Sequence, residues 1–428
     1  MTKNDLGIRM SIGIIIILGI FVIFIQRAYA IPSFARLYGV SCSTCHVSIP
    51  KMNAFGKAFR FNGYRFPKEQ KELLKEKPVS LGGKPQKSRW PEKAIWPGEI
   101  PSNPPISIRL EMDIDYNSDL SDEPLFNFPH ELYLLSGGNL GESISYFIEL
   151  VVYRDDSFGG VRRSFLQFDS PIWNNKLINL KIGKIEIAAV PFSKIRRVTV
   201  IGDNVVNSFK NGGNPFTLFE PKSGVELWGI KDGKMGGGLF YGIGVVERLD
   251  VTPSAGDKDH PGSSSKDLYG RLSYKFGGLA LSGESGPVPE GGSWRDDHFK
   301  LGLFSYSGNN AGADFLRIGG DAALQVNDLE LFGGLIFGDD SSSDNISGEN
   351  TYSAYFVESN YVFYPWLVAA IRWDSAMTPN DSSVDDLRNL LLHISISIRP
   401  NVVFRTEVQK QLQGKKSVIG KARFDFAF

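Results

Sequence analysis

Five consecutive residues, Cys42-Ser43-Thr44-Cys45-His46, carry the most specific chemistry in the chain. Two thiols separated by two residues, with a histidine directly after the second, form the attachment signal for a c-type haem. The thiols can add to the two vinyl groups of one porphyrin, and His46 is then placed under the iron as its proximal ligand. Two other readings compete. A thioredoxin-like redox pair needs a βαβ setting, and half a zinc site needs two further ligands nearby; residues 42–46 have neither. The two cysteines are also the only ones in 428 residues, so no disulfide framework competes for them. The expected cofactor is one covalently bound c-type haem on Cys42 and Cys45, with its iron on His46. No residue is assigned a catalytic role.

What must position this site follows from the chain around it. Residues 1–30 read as a signal peptide. Lys3 and Arg9 precede a 14-residue run, Ile12 to Ile25, built only of Ile, Leu, Val, Phe and Gly, and Ala28-Tyr29-Ala30 follows with small-x-small spacing. The run is short for a spanning helix, which needs about 20 apolar residues. Export and haem attachment support each other, because c-type haem is attached outside the cytoplasm. Residues 31–66 form a small cytochrome-like module in which Phe55, Phe59 and Phe61 are available to cover a porphyrin face. A piece this small seldom folds without a covalent or metal staple. Residues 67–105 read as a linker. They hold eight of the 23 prolines among many lysines, with two helical turns conceivable over Lys68–Glu76 and extended chain elsewhere.

From Ile106 to Phe428 the pattern has period two. Ile106, Ile108, Leu110, Met112, Ile114 and Tyr116 alternate with Ser107, Arg109, Glu111, Asp113 and Asp115. Leu390, Leu392, Ile394, Ile396 and Ile398 do the same against Leu391, His393, Ser395, Ser397 and Arg399. Such strands are long enough to cross a bilayer at a tilt, and the turn clusters between them leave no long amphipathic helix. The predicted fold is all-β: a large transmembrane antiparallel barrel of about 16 strands over residues 106–428, with the haem module plugging its lumen. A barrel of that size has room for an aqueous channel, hence also for a small plug. Pro191 to Glu220 breaks the rhythm and reads as a surface loop with one irregular strand, in preference to a loop folded into the pore. Net charge is zero, with 47 basic and 47 acidic residues, so no overall basic field points to nucleic acid.

The segment Pro32-Ser33-Phe34-Ala35-Arg36, Gly39, Cys42 to His46, Pro50, Phe55-Gly56, Phe59 and Gly63-Tyr64, followed by a barrel, resembles the fused outer-membrane mono-haem cytochrome–porins of iron-oxidising bacteria. The closing Phe424, Phe426 and Phe428 are similar to the last strand of bacterial outer-membrane proteins, which typically ends on an aromatic residue. The resemblance implies a location in the outer membrane of a Gram-negative bacterium, in contact with its lipid. It implies electron transfer from extracellular Fe(II) through the haem to a periplasmic c-type cytochrome or similar carrier. Two alternatives remain: a diffusion porin with a periplasmic cytochrome appendage, and outward delivery of electrons. Met52, His130, His298 and His393 are weak candidates for the second axial ligand, beside an open position. Glu111, Asp113 and Asp115 could attract Fe(II) through hard oxygen ligands, although any porin lumen is polar.

Overall fold

The computed structural model describes residues 33–67, 79–80, 88, 99–100, 104–120, 123–140, 143–154, 156–170, 176–190, 192–193, 197–211, 214–248, 266–284, 294–310, 313–340, 351–378, 386–413 and 417–428. The predicted signal peptide, the helical turns over Lys68–Glu76 and Arg196 lie outside these residues. The N-terminal module holds α1 (Ser33–Tyr38), a 3₁₀ turn at Cys42–Thr44, β1 (His46–Ser48), β2 (Lys51–Met52) and α2 (Ala54–Phe61). In the linker β3 (Val79–Ser80) pairs with β4 (Glu99–Ile100). Sixteen longer strands follow. They are β5 (Ile106–Asn117), β6 (Leu125–Asn139), β7 (Ile144–Arg154), β8 (Gly160–Phe168), β9 (Asn179–Ile185), β10 (Lys222–Asp232), β11 (Gly237–Val246) and β12 (Asp267–Phe276). The second half comprises β13 (His298–Asn310), β14 (Ala313–Val326), β15 (Leu329–Asp339), β16 (Thr351–Tyr364), β17 (Leu367–Met377), β18 (Leu387–Arg399), β19 (Val402–Gln411) and β20 (Val418–Ala427).

These sixteen strands are antiparallel neighbours in chain order, and β20 pairs with β5 to close the barrel. Closure satisfies every ladder and leaves no edge, which a sheet in hydrocarbon requires. The period-two pattern sets the faces. On β12, Asp267, Tyr269, Arg271, Ser273 and Lys275 are buried in the lumen, while Leu268 and Leu272 on the outside stay 54% and 52% exposed. Apolar outside and polar inside is the reverse of a water-soluble protein, and it matches a wall facing lipid. Across the lumen side of β5, β19 and β20 the charges neutralise one another. Arg405 and Arg109 hold Asp425, and Arg423 holds Asp113 and Glu111. Lys421 adds a bond to Asp115. Glu111, Asp113 and Asp115, considered from sequence as attractors of Fe(II), are thus already tied to cations.

The segment between β9 and β10 corrects the sequence reading. It is not a surface loop. Ile187, Val190, Phe192, Val205, Val206, Phe216 and Leu218 are buried, and Phe192 and Phe216 stack on Phe332 and Tyr306 of the inner wall. The loop crosses the barrel: β17 is the eighth strand from β9 around a ring of sixteen, so it stands diametrically opposite. There Asp374 accepts from Val205 N–H at 3.0 Å, and Arg372 donates to Thr199 Oγ1 at 3.0 Å. On β19, Glu407 accepts from the amides of Val200 and Ile201, and His393 donates to the same carboxylate at 2.6 Å. Asp340 accepts from the side-chain Nδ2 groups of Asn211 and Asn214. Asp374 and Glu407 thereby satisfy loop backbone that burial would otherwise leave unpaired.

The N-terminal module sits inside the same barrel, at the end where Ile106 and Phe428 lie. Its tethers run around the circumference. Ser33 N–H donates to Ser107 Oγ at 2.7 Å, and Arg36 to the Ile106 carbonyl at 2.7 Å. Ser48 bonds Ser395 at 2.8 Å, Lys51 pairs with Glu330, and Asn62 donates to the Ser282 carbonyl at 2.8 Å. The module is therefore not an appendage hanging below the barrel.

Candidate functional site

The 3₁₀ turn explains the spacing of the two cysteines. In a 3₁₀ helix side chains at i and i+3 eclipse, so Cys42 and Cys45 present their thiols on one side. The turn is closed by Cys45 N–H donating to the Cys42 carbonyl at 3.1 Å and capped by Ser41, whose Oγ accepts from Ser43 N–H. Asn53 then staples the turn to α2. Its Oδ1 accepts from Gly56 N–H at 2.9 Å as a helix N-cap, and its Nδ2 donates to the carbonyls of Thr44 and Ser43. Sequence reasoning passed over Asn53, although an Asn directly before an apolar helical face is an N-terminus signal.

Helix α2 buries Phe55, Ala58 and Phe59, which are spaced by three and four. A Cβ on Gly56 would overlap the Cys45 carbonyl oxygen, so glycine is what lets α2 lie against the turn that carries the two cysteines. Gly39 and Gly63, both with φ of 64°, end the two helices in matching turns: Val40 N–H reaches Ala35 O and Tyr64 N–H reaches Phe59 O. Gly56→Ala is expected to destabilise the module by about 1–3 kcal/mol through overpacking. The readout is limited proteolysis, with faster cleavage inside residues 33–67 while the barrel stays intact.

His46 opens β1, and its Nδ1 lies 3.2 Å from the Pro50 carbonyl. A carbonyl only accepts, so Nδ1 carries the proton and Nε2 keeps its lone pair, the arrangement a metal-ligating imidazole uses. Burial lowers the imidazole to about 4 and pushes the Cys45 thiol up to about 12. A raised thiol is the opposite of the activated thiolate of a redox pair.

Cys42, Cys45 and His46 line one cavity of about 260 Å³. Phe34, Tyr38, Phe59, Tyr64 and Phe66 form its module side, Leu135, Gly137 and Phe147 its wall, and Phe219 and Pro221 of the lumen loop part of its boundary. The residues match what a covalently held porphyrin demands: two thiols on one face, a neutral imidazole with a free Nε2, and apolar walls that exclude water. Of the three phenylalanines predicted to cover the ring, only Phe59 lines the cavity. Phe55 packs on Phe66, and Phe61 packs on Trp228 and Phe240 of the wall.

The histidine candidates for a second ligand are not brought here. Met52 does line the cavity, but it stands directly across the ladder from His46, so both side chains leave the same face of the hairpin. His393 is bound to Glu407, and His298 lies beside Asp296. His130 Nε2 stands 3.6 Å from Asp113, in a group with Glu111 and Glu131 whose ligand atoms fall within 4.8 Å. Among the described residues, no histidine or methionine besides His46 and Met52 lines the cavity.

Solved structures resemble the chain in fold. OmpF of Salmonella typhi, in a complex with daunomycin, is 10% identical with a TM-score of 0.52, over 76% of this chain and 97% of that one. The fold is that of the outer-membrane porins. An anion-selective porin from Comamonas acidovorans matches at 13% identity and a TM-score of 0.50, over 76% and 98%. A loop L8 deletion mutant of OmpT from Vibrio cholerae matches at 9% and 0.50, over 76% and 98%. No protein-family model and no curated protein matches the chain. The porin fold, with its apolar outer wall, supports a place in the outer membrane.

Proposed function

We propose that this porin-fold chain is an outer-membrane mono-haem cytochrome–porin that moves electrons from extracellular Fe(II) to a periplasmic carrier. One observation carries the reading: both thiols and the imidazole of a haem-attachment pentapeptide face a single cavity inside a closed membrane-type barrel. Outer-membrane barrels have short periplasmic turns and longer extracellular loops. Three of the four two-residue connections, 327–328, 365–366 and 400–401, lie at the end carrying Ile106 and Phe428, which supports a place for the module in the periplasmic half. A bound c-type haem would supply a one-electron carrier partway across the membrane. Cys42 and Cys45 would anchor it, His46 would hold the iron from Nε2, and Phe34, Phe59 and Phe147 would keep water from the ring. One electron leaves each Fe(II), which becomes Fe(III) outside the cell, and a c-type cytochrome or similar periplasmic carrier is reduced by one. Ferric products are insoluble near neutral pH, so a donor oxidised outside deposits no solid in the periplasm.

The module inside the lumen and the loop across it weigh against a diffusion porin. Purified protein is expected to show a c-type absorption spectrum that becomes reduced under anaerobic Fe(II) at the pH of the native setting. A haem that stays oxidised would overturn the iron assignment. Its midpoint potential separates the two directions of flow: a high value favours iron oxidation, and a low value favours delivery to external acceptors.

A further inference from the structure

The wall of the cavity carries charge of two kinds. Arg109 and Arg163 are matched: Arg109 holds Asp425 and Glu111 at 2.9 and 2.7 Å, and Arg163 holds Glu149 at 2.5 Å. Arg162 and Arg60 are not matched in this way. Among the described residues, Arg162 has no carboxylate within ion-pair distance. It donates to the Tyr133 hydroxyl at 3.3 Å and lies over the Phe219 ring, 5.6 Å from its centroid. Arg60, on α2, reaches only Glu186, at 4.0 Å, besides the Tyr64 phenol.

Arg162 points inward because of a fault in the strand. Glu149 pairs with Arg163 while Leu150 pairs with Val161, so Arg162 is the extra residue of a β-bulge. Strict alternation from Arg163 would turn it outward, onto the face of Ser164 and Leu166 and into lipid, where an arginine is costly. Bulges re-aim side chains next to functional sites. Here the bulge adds a guanidinium to a mostly apolar cavity, where a cation without a counter-ion is costly.

We propose that Arg60 and Arg162 seat the two propionate carboxylates of the haem, and so fasten the cofactor across the joint between module and barrel wall. The inference rests on the haem reading. Thioether formation uses the vinyl groups and leaves both propionates ionised, so the ligand brings two anions on an apolar body. The cavity offers two under-neutralised guanidiniums beside apolar walls. His46 feels Arg109 and Asp425 and so lies toward β5, whereas Arg162 is on β8; Leu135, Gly137 and Phe147 of β6 and β7 lie between. Guanidinium is suited to this task, because its fork matches a carboxylate. The other charged groups facing the cavity are Arg109 on β5, Glu149 on β7, Arg163 on β8 and Glu186 after β9.

The test is the haem midpoint potential against pH, by spectroelectrochemistry on the full-length holoprotein. A nearby cation favours the reduced haem, which carries one positive charge fewer, and it holds the propionates ionised. Arg162→Gln and Arg60→Gln are expected to retain the c-type spectrum, to lower the potential, and to move its pH-dependent region upward. Arg162→Lys should recover most of the wild-type value. Arg154→Gln, off the cavity on β7, should change nothing. If Arg162→Gln does not assemble, the Arg60→Gln and Arg162→Lys proteins carry the comparison. Variants with a c-type spectrum and the wild-type profile would overturn the propionate seat and leave the haem reading standing. So would an equal shift in Arg154→Gln. A wild-type protein with no c-type spectrum would instead overturn the haem reading itself.

Discussion

Planar bilayers carrying the full-length protein are expected to pass almost no ion current, although the barrel has the strand number of an open porin. Two obstructions lie in series. The module is tethered at the end carrying Ile106 and Phe428 through Ser33, Ser48, Lys51 and Asn62. Beyond it the loop between β9 and β10 spans the full diameter and is pinned to Asp374 and Glu407 on the far wall. No strand of the module belongs to the barrel sheet, so deletion of residues 33–67 leaves every barrel ladder intact. Deletion alone, with the loop still across the lumen, is expected to raise conductance modestly. Glu407→Gln with Asp374→Asn in the deleted background also releases the loop, and should raise conductance by about an order of magnitude or more, since an unplugged sixteen-strand barrel holds an aqueous channel. A full-length protein that conducts like the deleted, loop-released one would sink the plugged-conduit reading and restore the diffusion porin.

The second large effect concerns the pentapeptide. The double variant Cys42→Ala/Cys45→Ala is expected to lose all haem that survives denaturation and extraction, while the barrel still assembles. His46→Ala should keep covalent haem but change its spectrum, because, among the described residues, it removes the one imidazole that lines the cavity. The expectation depends on geometry as much as on residue type. The 3₁₀ turn faces both thiols into the cavity, and the Pro50 carbonyl fixes the imidazole tautomer. Undiminished covalent haem in the double variant would mean that attachment occurs elsewhere.

Much of this was readable before any coordinates, for identifiable reasons. A lipid-facing wall forces strict alternation over ten or more residues, so strands such as Leu387–Arg399 announce themselves, and the sixteen-strand barrel follows from length. Parity also placed His393 and His298 in the lumen. It could not say which side of the lumen, because position around the ring depends on the register of every intervening strand. Helix α2 was missed since eight residues give little more than two turns, over which periods of two and 3.6 overlap. The lumen loop was misjudged from Asn211-Gly212-Gly213-Asn214-Pro215, which suggests a surface turn. Its real signature was the density of apolar residues from Ile187 to Val206, too many for a segment in water. Arg162-Arg163 likewise carried a visible sign: two adjacent arginines in a strand cannot both face the lumen without a bulge.

The way the module is moored has a consequence for engineering. At Gly137 of the wall a side chain would press on Phe34 of the module and on Phe147, and Gly63 of the module would press on Asp169 if it gained one. Together with Ser107, Ser395 and Glu330, these positions form a socket cut for this insert. Module and barrel are therefore not interchangeable parts. Residues 33–67 grafted ahead of another porin-fold barrel would meet a wall without the matching glycine and hydroxyls. A successful transplant would have to carry the socket along with the insert.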